Sequence, residues 1–566
     1  MLLLLLPLAA FAGNHSKTMP SIEPGAFPVA CSNVAHNLVT MQQLGGSPSD
    51  FWEGIPQNGE LRFITQILAE PQSTIQFNVR VPDDRGLYTH FADESLPFVS
   101  LVCYPTSAAN PRPDYQLPDT RWIPRMERAG DLPIFPNASA SYPLLVYSHG
   151  ISGSPISDEY LDTILRLASH GYIVMAVFHG DGRITRVRVE NLRDAYYLIS
   201  SFDRYVELQA LRPLALKAAL DDLLIRPGYR DHVDQQKIGG FGTSLGGEAL
   251  LLSMGAHLTN DTRLDSRAVT QDSRVKGSVG YVPYSGQRLI PAFGDDQNGA
   301  QYVTRPFMAI GGTADTTAPL YMTEQAVNRM TGSRYLVALT DVSHEYRPEF
   351  ADDVFSWAIT FLDAHVKDDR LALSRLVQTS NIAGGLEDAL RIDYTAPTPL
   401  EPGQALITEH YYEPLGHFFA AANDAERAFA DNAAAVGWSR SGQAYKAFSS
   451  ASPPSVPNGT VQPVCRYFGV DPIKPTFFYS ANLAECNFLR ANNPGWRDLG
   501  VAFFAPMPNI AGNCADGQIG VYRLYNLGWQ PPRFEPNHRY TTSLSTVAEM
   551  VRNGWVNEGQ NFCAPL

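Results

Sequence analysis

The chain has 566 residues, with 43 basic and 57 acidic side chains and a formal net charge of −14. That balance excludes nucleic acid as a main partner, because a phosphate backbone is held by a basic face. At 44% hydrophobic, 18% charged and 11% aromatic residues, the composition excludes a disordered chain, and the length allows two or three domains with their own cores.

The run Leu2 to Ala12 is apolar, too short to cross a bilayer as a helix, and ends Ala10-Phe11-Ala12, the small-x-small pattern cut by signal peptidase. Residues 1–12 are expected to be a secretory signal, without the usual basic n-region, and the mature protein to be extracellular or periplasmic. Six cysteines fit an oxidising compartment. Cys31 and Cys103 stand alone in the first part; Cys465, Cys486, Cys514 and Cys563 allow three connectivities, among which spacing does not choose. None has CxxC or Cys/His spacing, so no metal is expected.

Residues 13–69 lack clear periodicity and read as an N-terminal extension to a domain over 70–393. Thr74 to Val81 and Pro97 to Tyr104 alternate as strands. From Pro143 the pattern becomes short continuous apolar runs separated by helical segments: Leu144 to Tyr147, Tyr172 to Phe178, Lys237 to Phe241, Ser278 to Val282, Pro306 to Ile310 and Tyr335 to Leu339. Runs of that kind bounded by Gly and Pro are buried strands, which makes the fold class α/β, a mostly parallel sheet with helices on both faces. An amphipathic helix, Ala351 to His365, closes this part. The segment 394–403 has three prolines in ten residues and reads as a stiff linker.

Residues 404–566 repeat. Gly437-Trp438, Gly495-Trp496 and Gly554-Trp555 recur 58 and 59 residues apart, each followed by a second glycine (Gly442, Gly500, Gly559) and then an aromatic (Tyr445, Phe503, Phe562). Each copy opens with a tyrosine-rich strand and an aromatic strand, then a helix carrying Glu426, Glu485 or Glu549. Copies that cannot bury a face alone share one core, so three of them predict a pseudo-threefold α+β domain. This part holds 11 basic and 12 acidic residues, leaving 43 − 11 = 32 and 57 − 12 = 45 for residues 1–403.

The sharpest chemical signal is Gly242-Thr243-Ser244-Leu245-Gly246-Gly247, between a buried strand and the helical run Glu248 to Met254. Gly-x-Ser-x-Gly in that context is a nucleophile elbow. A serine hydroxyl is a weak nucleophile and needs a base, oriented in turn by an acid, in the chain order Ser, Asp, His. Asp315 follows the strand and glycine turn Arg305 to Ala314; His344 lies in the loop after Tyr335 to Leu339. His365 belongs to the closing helix and reads as a packing residue. Oxyanion donors are expected in the backbone amides of Leu245, after the nucleophile, and Ile151, in Tyr147-Ser-His-Gly-Ile-Ser-Gly153. His149 precedes the nucleophile and is read as shaping that loop.

Phe98-Val-Ser-Leu-Val-Cys-Tyr-Pro105, Ser148-His-Gly-Ile, Gly171 to Gly182, the elbow, and Gly311-Gly-Thr-Ala-Asp-Thr-Thr-Ala-Pro319 together resemble the α/β-hydrolase group that includes platelet-activating-factor acetylhydrolases, dienelactone hydrolases and polyester-cleaving cutinases. The resemblance covers roughly residues 70–370. It implies the α/β-hydrolase fold and ester hydrolysis through an acyl-enzyme, with Ser244, Asp315 and His344 as the triad and no cofactor. Thr243 stands where many relatives carry histidine, and Ile184 to Leu211 is a longer helical insertion than small cutinases have. Its Tyr196, Tyr197, Phe202 and Tyr205 read either as a pocket cover or as core aromatics. The repeats resemble a three-repeat module on secreted bacterial hydrolases, which implies attachment to a surface or polymer. Trp438, Trp496 and Trp555 read as buried structural positions sooner than as stacking platforms. The expectation is a monomeric secreted serine esterase acting on a small or polymeric ester; a phospholipid-type lipase and an inactive scaffold with a binding module are the alternatives.

Overall fold

A computed structural model describes residues 17–185, 200–397, 399–449, 461–492, 495–529 and 534–566. The expected signal at 1–12 and the aromatic pair Tyr196 and Tyr197 lie outside the described residues. The chain divides into two compact units. One is Pro20–Asp369 with Ile382–Arg391, and the other is built mainly from Arg370–Asn381 and Ile392–Leu566.

The first unit is organised by a ten-stranded sheet. In chain order its strands are β1 (Val29–Cys31), β2 (Ile75–Arg80), β3 (Ser95–Pro105), β4 (Tyr142–Ser148), β5 (Ile173–Phe178), β6 (Val233–Thr243), β7 (Val275–Tyr281), β8 (Phe307–Gly312), β9 (Arg334–Leu339) and β10 (Asp388–Tyr394). They lie in the order β10-β9-β8-β7-β6-β4-β5-β3-β1, with β2 also paired to β3. The pairs from β5 through β4, β6, β7 and β8 to β9 are parallel, while β3 runs antiparallel to β1, β2 and β5. The patterns have a simple cause. β5, Ile-Val-Met-Ala-Val-Phe, is buried along its whole length, as a strand covered on both faces must be, whereas β2 buries only Ile75, Phe77 and Val79.

The principal helices are α1 (Asp158–Ser169), α2 (Phe202–Leu223), α3 (Leu245–Ser253), α4 (Leu320–Arg329) and α5 (Ala351–His365). None of the described helices is long and apolar enough to cross a membrane. Helix α5 has the bounds its periodicity predicts, and β6 outruns its apolar run at both ends because its glycines and polar residues hide it from a hydrophobicity pattern.

Residues 20–69 lie in the first unit: β1 pairs with β3, and Cys31 is bonded to Cys103 directly opposite it. A three-residue strand is too short to show a period. The second unit also takes residues from before the proline-rich segment 394–403, including the helix Arg370–Leu376.

In the second unit one element order occurs three times, strand, strand, helix, strand. The first set is β11 (Gln404–Tyr412), β12 (His417–Ala421), α6 (Asp424–Asn432) and β13 (Trp438–Phe448). The second is β14 (Val461–Gly469), β15 (Phe477–Ser480), α7 (Leu483–Asn492) and β16 (Trp496–Pro506), and the third β17 (Gln518–Tyr525), β18 (His538–Thr541), α8 (Leu544–Arg552) and β19 (Val556–Pro565). The aromatics Tyr445, Phe503 and Phe562, one from each set, meet with ring centroids 5.6–6.4 Å apart. Arg466 of the second set pairs with Glu426 of the first, and Arg523 of the third with Glu485 of the second. Glu426 and Glu485 stand at the third position of their helices; the corresponding residue of α8 is Thr546, with Glu549 a turn further on. At the start of α8 Asp393 accepts from the Ser543 and Ser545 hydroxyls and the Leu544 amide. Trp496 is buried beside Phe478, and Trp438 and Trp555 are half-buried in the clusters of their own sets. The cysteine pairs here are Cys465–Cys486 and Cys514–Cys563.

Candidate active site

The chain order of the sheet reverses between β4 and β6: β5 lies on one side of β4, and β6 to β9 continue on the other. Crevices form at the carboxyl ends of strands at such a reversal. The loop after β4 and the turn after β6 flank this one.

Ser244 links β6 to α3 with φ 55° and ψ −120°. A non-glycine residue there costs about 1–3 kcal/mol and persists only where its surroundings over-determine it. They do: its amide donates to the Tyr281 carbonyl at 3.0 Å, and its own carbonyl accepts from the Gly247 and Tyr284 amides at 2.9 and 3.0 Å. The flanking glycines are required by contact. A Cβ on Gly242 would lie 2.5 Å from the Gly246 carbonyl, and one on Gly246 only 1.8 Å from the Ser148 carbonyl oxygen.

Ser244 and Asp315 are buried, and the side chain of His344 is 27% exposed. Nε2 of His344 lies 2.9 Å from Ser244 Oγ, and Nδ1 lies 2.8 Å from Asp315 Oδ2. Oδ1 of Asp315 accepts from the Thr317 and Ala318 amides, both at 2.8 Å. The acid and base loops are also locked together, since a Cβ on Gly312 would lie 2.1 Å from the Val342 carbonyl oxygen, and the Ala314 amide donates to that same oxygen at 3.0 Å. The three residues picked from sequence therefore form one hydrogen-bonded chain, with the hydroxyl at one end and a fully held carboxylate at the other.

Leu245 is the buried first residue of α3, and Ile151 follows Gly150, on which a Cβ would lie 3.5 Å from Ser244 Cβ. The loop after β4 thus runs against the nucleophile. His149 is fully buried; its Nδ1–H donates to the Gly150 carbonyl at 2.7 Å, and its Nε2 accepts from the His179 amide at 3.3 Å. Burial, with Arg212 nearby, pushes its pKa down to about 4, so it is a neutral structural imidazole, as read from the sequence. His365 is half-buried, packed on Phe361 with Nε2 3.2 Å from the Tyr335 hydroxyl. Phe202 is half-buried and Tyr205 buried in contact with Tyr284, so the latter is a core aromatic.

Sequence reasoning missed two charged residues next to this loop. Arg212, in α2, is 1% exposed and Asp181, just after β5, 3%. They form an ion pair, and Arg212 also donates to the His149 and Gly150 carbonyls. An arginine in the apolar run Ala210-Leu211-Arg212-Pro213-Leu214 was the available signal, because a buried guanidinium must be paired.

Comparison with known families gives two matches. Residues 410–565 match a domain of unknown function (DUF5648). No curated protein matches the chain. Residues 125–192 match the family described as platelet-activating factor acetylhydrolase, isoform II; the stretch carries β4, the loop with Ile151, and Asp181, but not Ser244, Asp315 or His344. This match and the mixed sheet with its parallel centre make the first unit similar to the α/β-hydrolase-like group that holds those acetylhydrolases.

Proposed function

We propose that the protein is a secreted serine carboxylic-ester hydrolase working through an acyl-enzyme. The observation that carries the reading is the chain of hydrogen bonds Ser244–His344–Asp315 on a strained strand-to-helix turn. In the forward step His344 Nε2 takes the Ser244 proton as Oγ attacks the ester carbonyl. Asp315 keeps the other ring nitrogen protonated and stabilises the imidazolium. The Leu245 and Ile151 amides donate to the oxygen that becomes negative. Collapse of the tetrahedral intermediate expels the alcohol, which takes the proton from His344; water, deprotonated by the same nitrogen, then releases the acid and restores Ser244.

Three disulfides support an oxidising, exported location. The family match at 125–192 favours a second reading of the substrate, a phospholipid-type acyl ester, beside polyesters and aromatic diesters. Residues 404–566 act in this proposal as a pseudo-threefold module for adsorption to a surface or polymer.

The test is hydrolysis of p-nitrophenyl acetate and butyrate by wild type and Ser244→Ala. Loss of the hydroxyl is expected to lower kcat by about 10⁴-fold or more. Wild-type activity no greater than that of Ser244→Ala would overturn the esterase reading.

A further inference from the structure

The Arg212–Asp181 pair is placed where no structural need of the sheet demands a charge, and all of its hydrogen bonds run to one short segment. The guanidinium donates to the carbonyl oxygens of His149 and Gly150, the second at 3.0 Å, and to both oxygens of Asp181. Asp181 Oδ2 in turn accepts from the Ser152 amide at 3.1 Å. Three of the four consecutive residues 149–152 are therefore gripped by one ion pair, His149 and Gly150 through carbonyls and Ser152 through its amide. Ser152 has φ 55°, a conformation uncommon for a serine.

The consequence follows from peptide geometry. In a trans peptide the C=O and the N–H point in opposite directions. Fixing the Gly150 carbonyl on Arg212 therefore turns the amide of the same peptide unit, the Ile151 N–H, away from α2. Gly150 itself abuts Ser244, so that amide belongs to the segment bordering the nucleophile. A charged fork fixes two carbonyls at a defined angle, which a single-point ammonium does not.

We propose that Arg212, held by Asp181, is the positioning residue of the oxyanion hole: it sets the 149–152 segment so that the Ile151 amide meets the charge developing on the attacked carbonyl. The pair touches neither substrate nor reacting atoms. The inference rests on the esterase reading above and adds the device that orients one of its donors.

The experiment compares wild type, Arg212→Lys, Asp181→Asn and Glu207→Gln, all as full chains, for p-nitrophenyl acetate turnover, for inhibition by a trifluoromethyl ketone and for thermal melting. The ketone forms a tetrahedral adduct on Ser244 whose oxyanion needs the same amides as the transition state. Glu207 is an equally buried α2 residue whose carboxylate grips a different loop, accepting from the His90 and Phe91 amides. Removal of one oxyanion donor costs about 10²–10³ in kcat, so Arg212→Lys is expected to lose about 10²-fold and Asp181→Asn somewhat less. KM should stay within threefold, and Ki for the ketone should rise in step with the fall in kcat/KM. Glu207→Gln should lower the melting temperature and leave kcat and Ki unchanged.

If the wild type is no faster than Ser244→Ala, the esterase reading falls and this inference with it. If the wild type is active, and folded Arg212→Lys and Asp181→Asn keep kcat and Ki within threefold, this inference alone is overturned. A Glu207→Gln variant that loses kcat equally, or failure of both pair variants to fold, would assign the pair to general stability of the unit and also overturn it.

Discussion

At Ser244 one side chain is made useful by the strain its neighbours absorb, and elsewhere in the first unit single residues carry comparable tension in their protonation. Glu127 is buried with Oε1 accepting from the Tyr104 and Tyr229 hydroxyls at 2.7 and 2.8 Å. Burial raises its pKa to about 7, with the two hydroxyls and Arg112 partly offsetting the rise. A carboxyl raised in the fold binds its proton more tightly there than in the unfolded chain. Its contribution to stability is present at low pH and is lost as pH climbs toward 7. Glu127→Gln keeps the oxygen that both tyrosines need and has no charge to lose. Relative to wild type, its unfolding free energy is expected to rise on the order of 3 kcal/mol between pH 4.5 and pH 8, which urea melts at the two pH values measure. An unchanged difference would show that the fold does not raise the carboxyl's pKa above its unfolded value. Residues such as Ser244, Asp315 and His344 were legible in sequence because each follows a recognisable strand in a fixed order. Glu127, Asp181 and Arg212 were not: their partners lie 23 to 102 residues away, and no local period records a contact at such range.

Elements carry their own constraints, and the elbow is the tightest. With a Cβ at Gly246 directed into the Ser148 carbonyl, either α3 or the end of β4 must move. Gly246→Ala is expected to abolish ester hydrolysis and to lower the melting temperature by several degrees, on the scale of overpacking costs of about 1–3 kcal/mol. Activity and melting both at wild-type values would mean that the turn relaxes without harm. Element positions were well foreseen where the pattern is long or continuous, as in α5 and β5. β1, with three residues, was not foreseen, and β6 was foreseen only over Lys237 to Phe241, because polar residues before that run and Gly242 after it hide the rest of the strand. The cysteine pairing stayed open in the sequence because Cys465–Cys486 and Cys514–Cys563 are chosen by which strand faces which helix or loop, not by spacing.

For the whole molecule the decisive asymmetry is charge. The acidic excess falls almost entirely before residue 404, at 32 − 45 = −13, and the repeats are nearly neutral at 11 − 12 = −1. Three of their arginines, Arg466, Arg523 and Arg539, are paired with Glu426, Glu485 and Glu409. The adsorption proposed for residues 404–566 is then expected not to depend on charge. Binding of full-length Ser244→Ala to an insoluble polyester film is expected to change by less than twofold between about 0.05 and 1 M salt, over which the Debye length shrinks severalfold. A tenfold loss of bound protein, measured by depletion, would assign adsorption to ion pairing instead.

The lock between the loops of Asp315 and His344 has a consequence for how such a site fails. The acid and base loops are tied to each other, and the serine is held separately by α3 and the Tyr281 and Tyr284 backbones, with the Tyr281 hydroxyl donating to the Glu345 carbonyl as a link between the two. Small fluctuations are then expected to disturb the Ser–His distance before the His–Asp hydrogen bond. Inactivation by mild heat or denaturant would begin as a slippage between these two parts, reversible on cooling, with the sheet beneath them still folded.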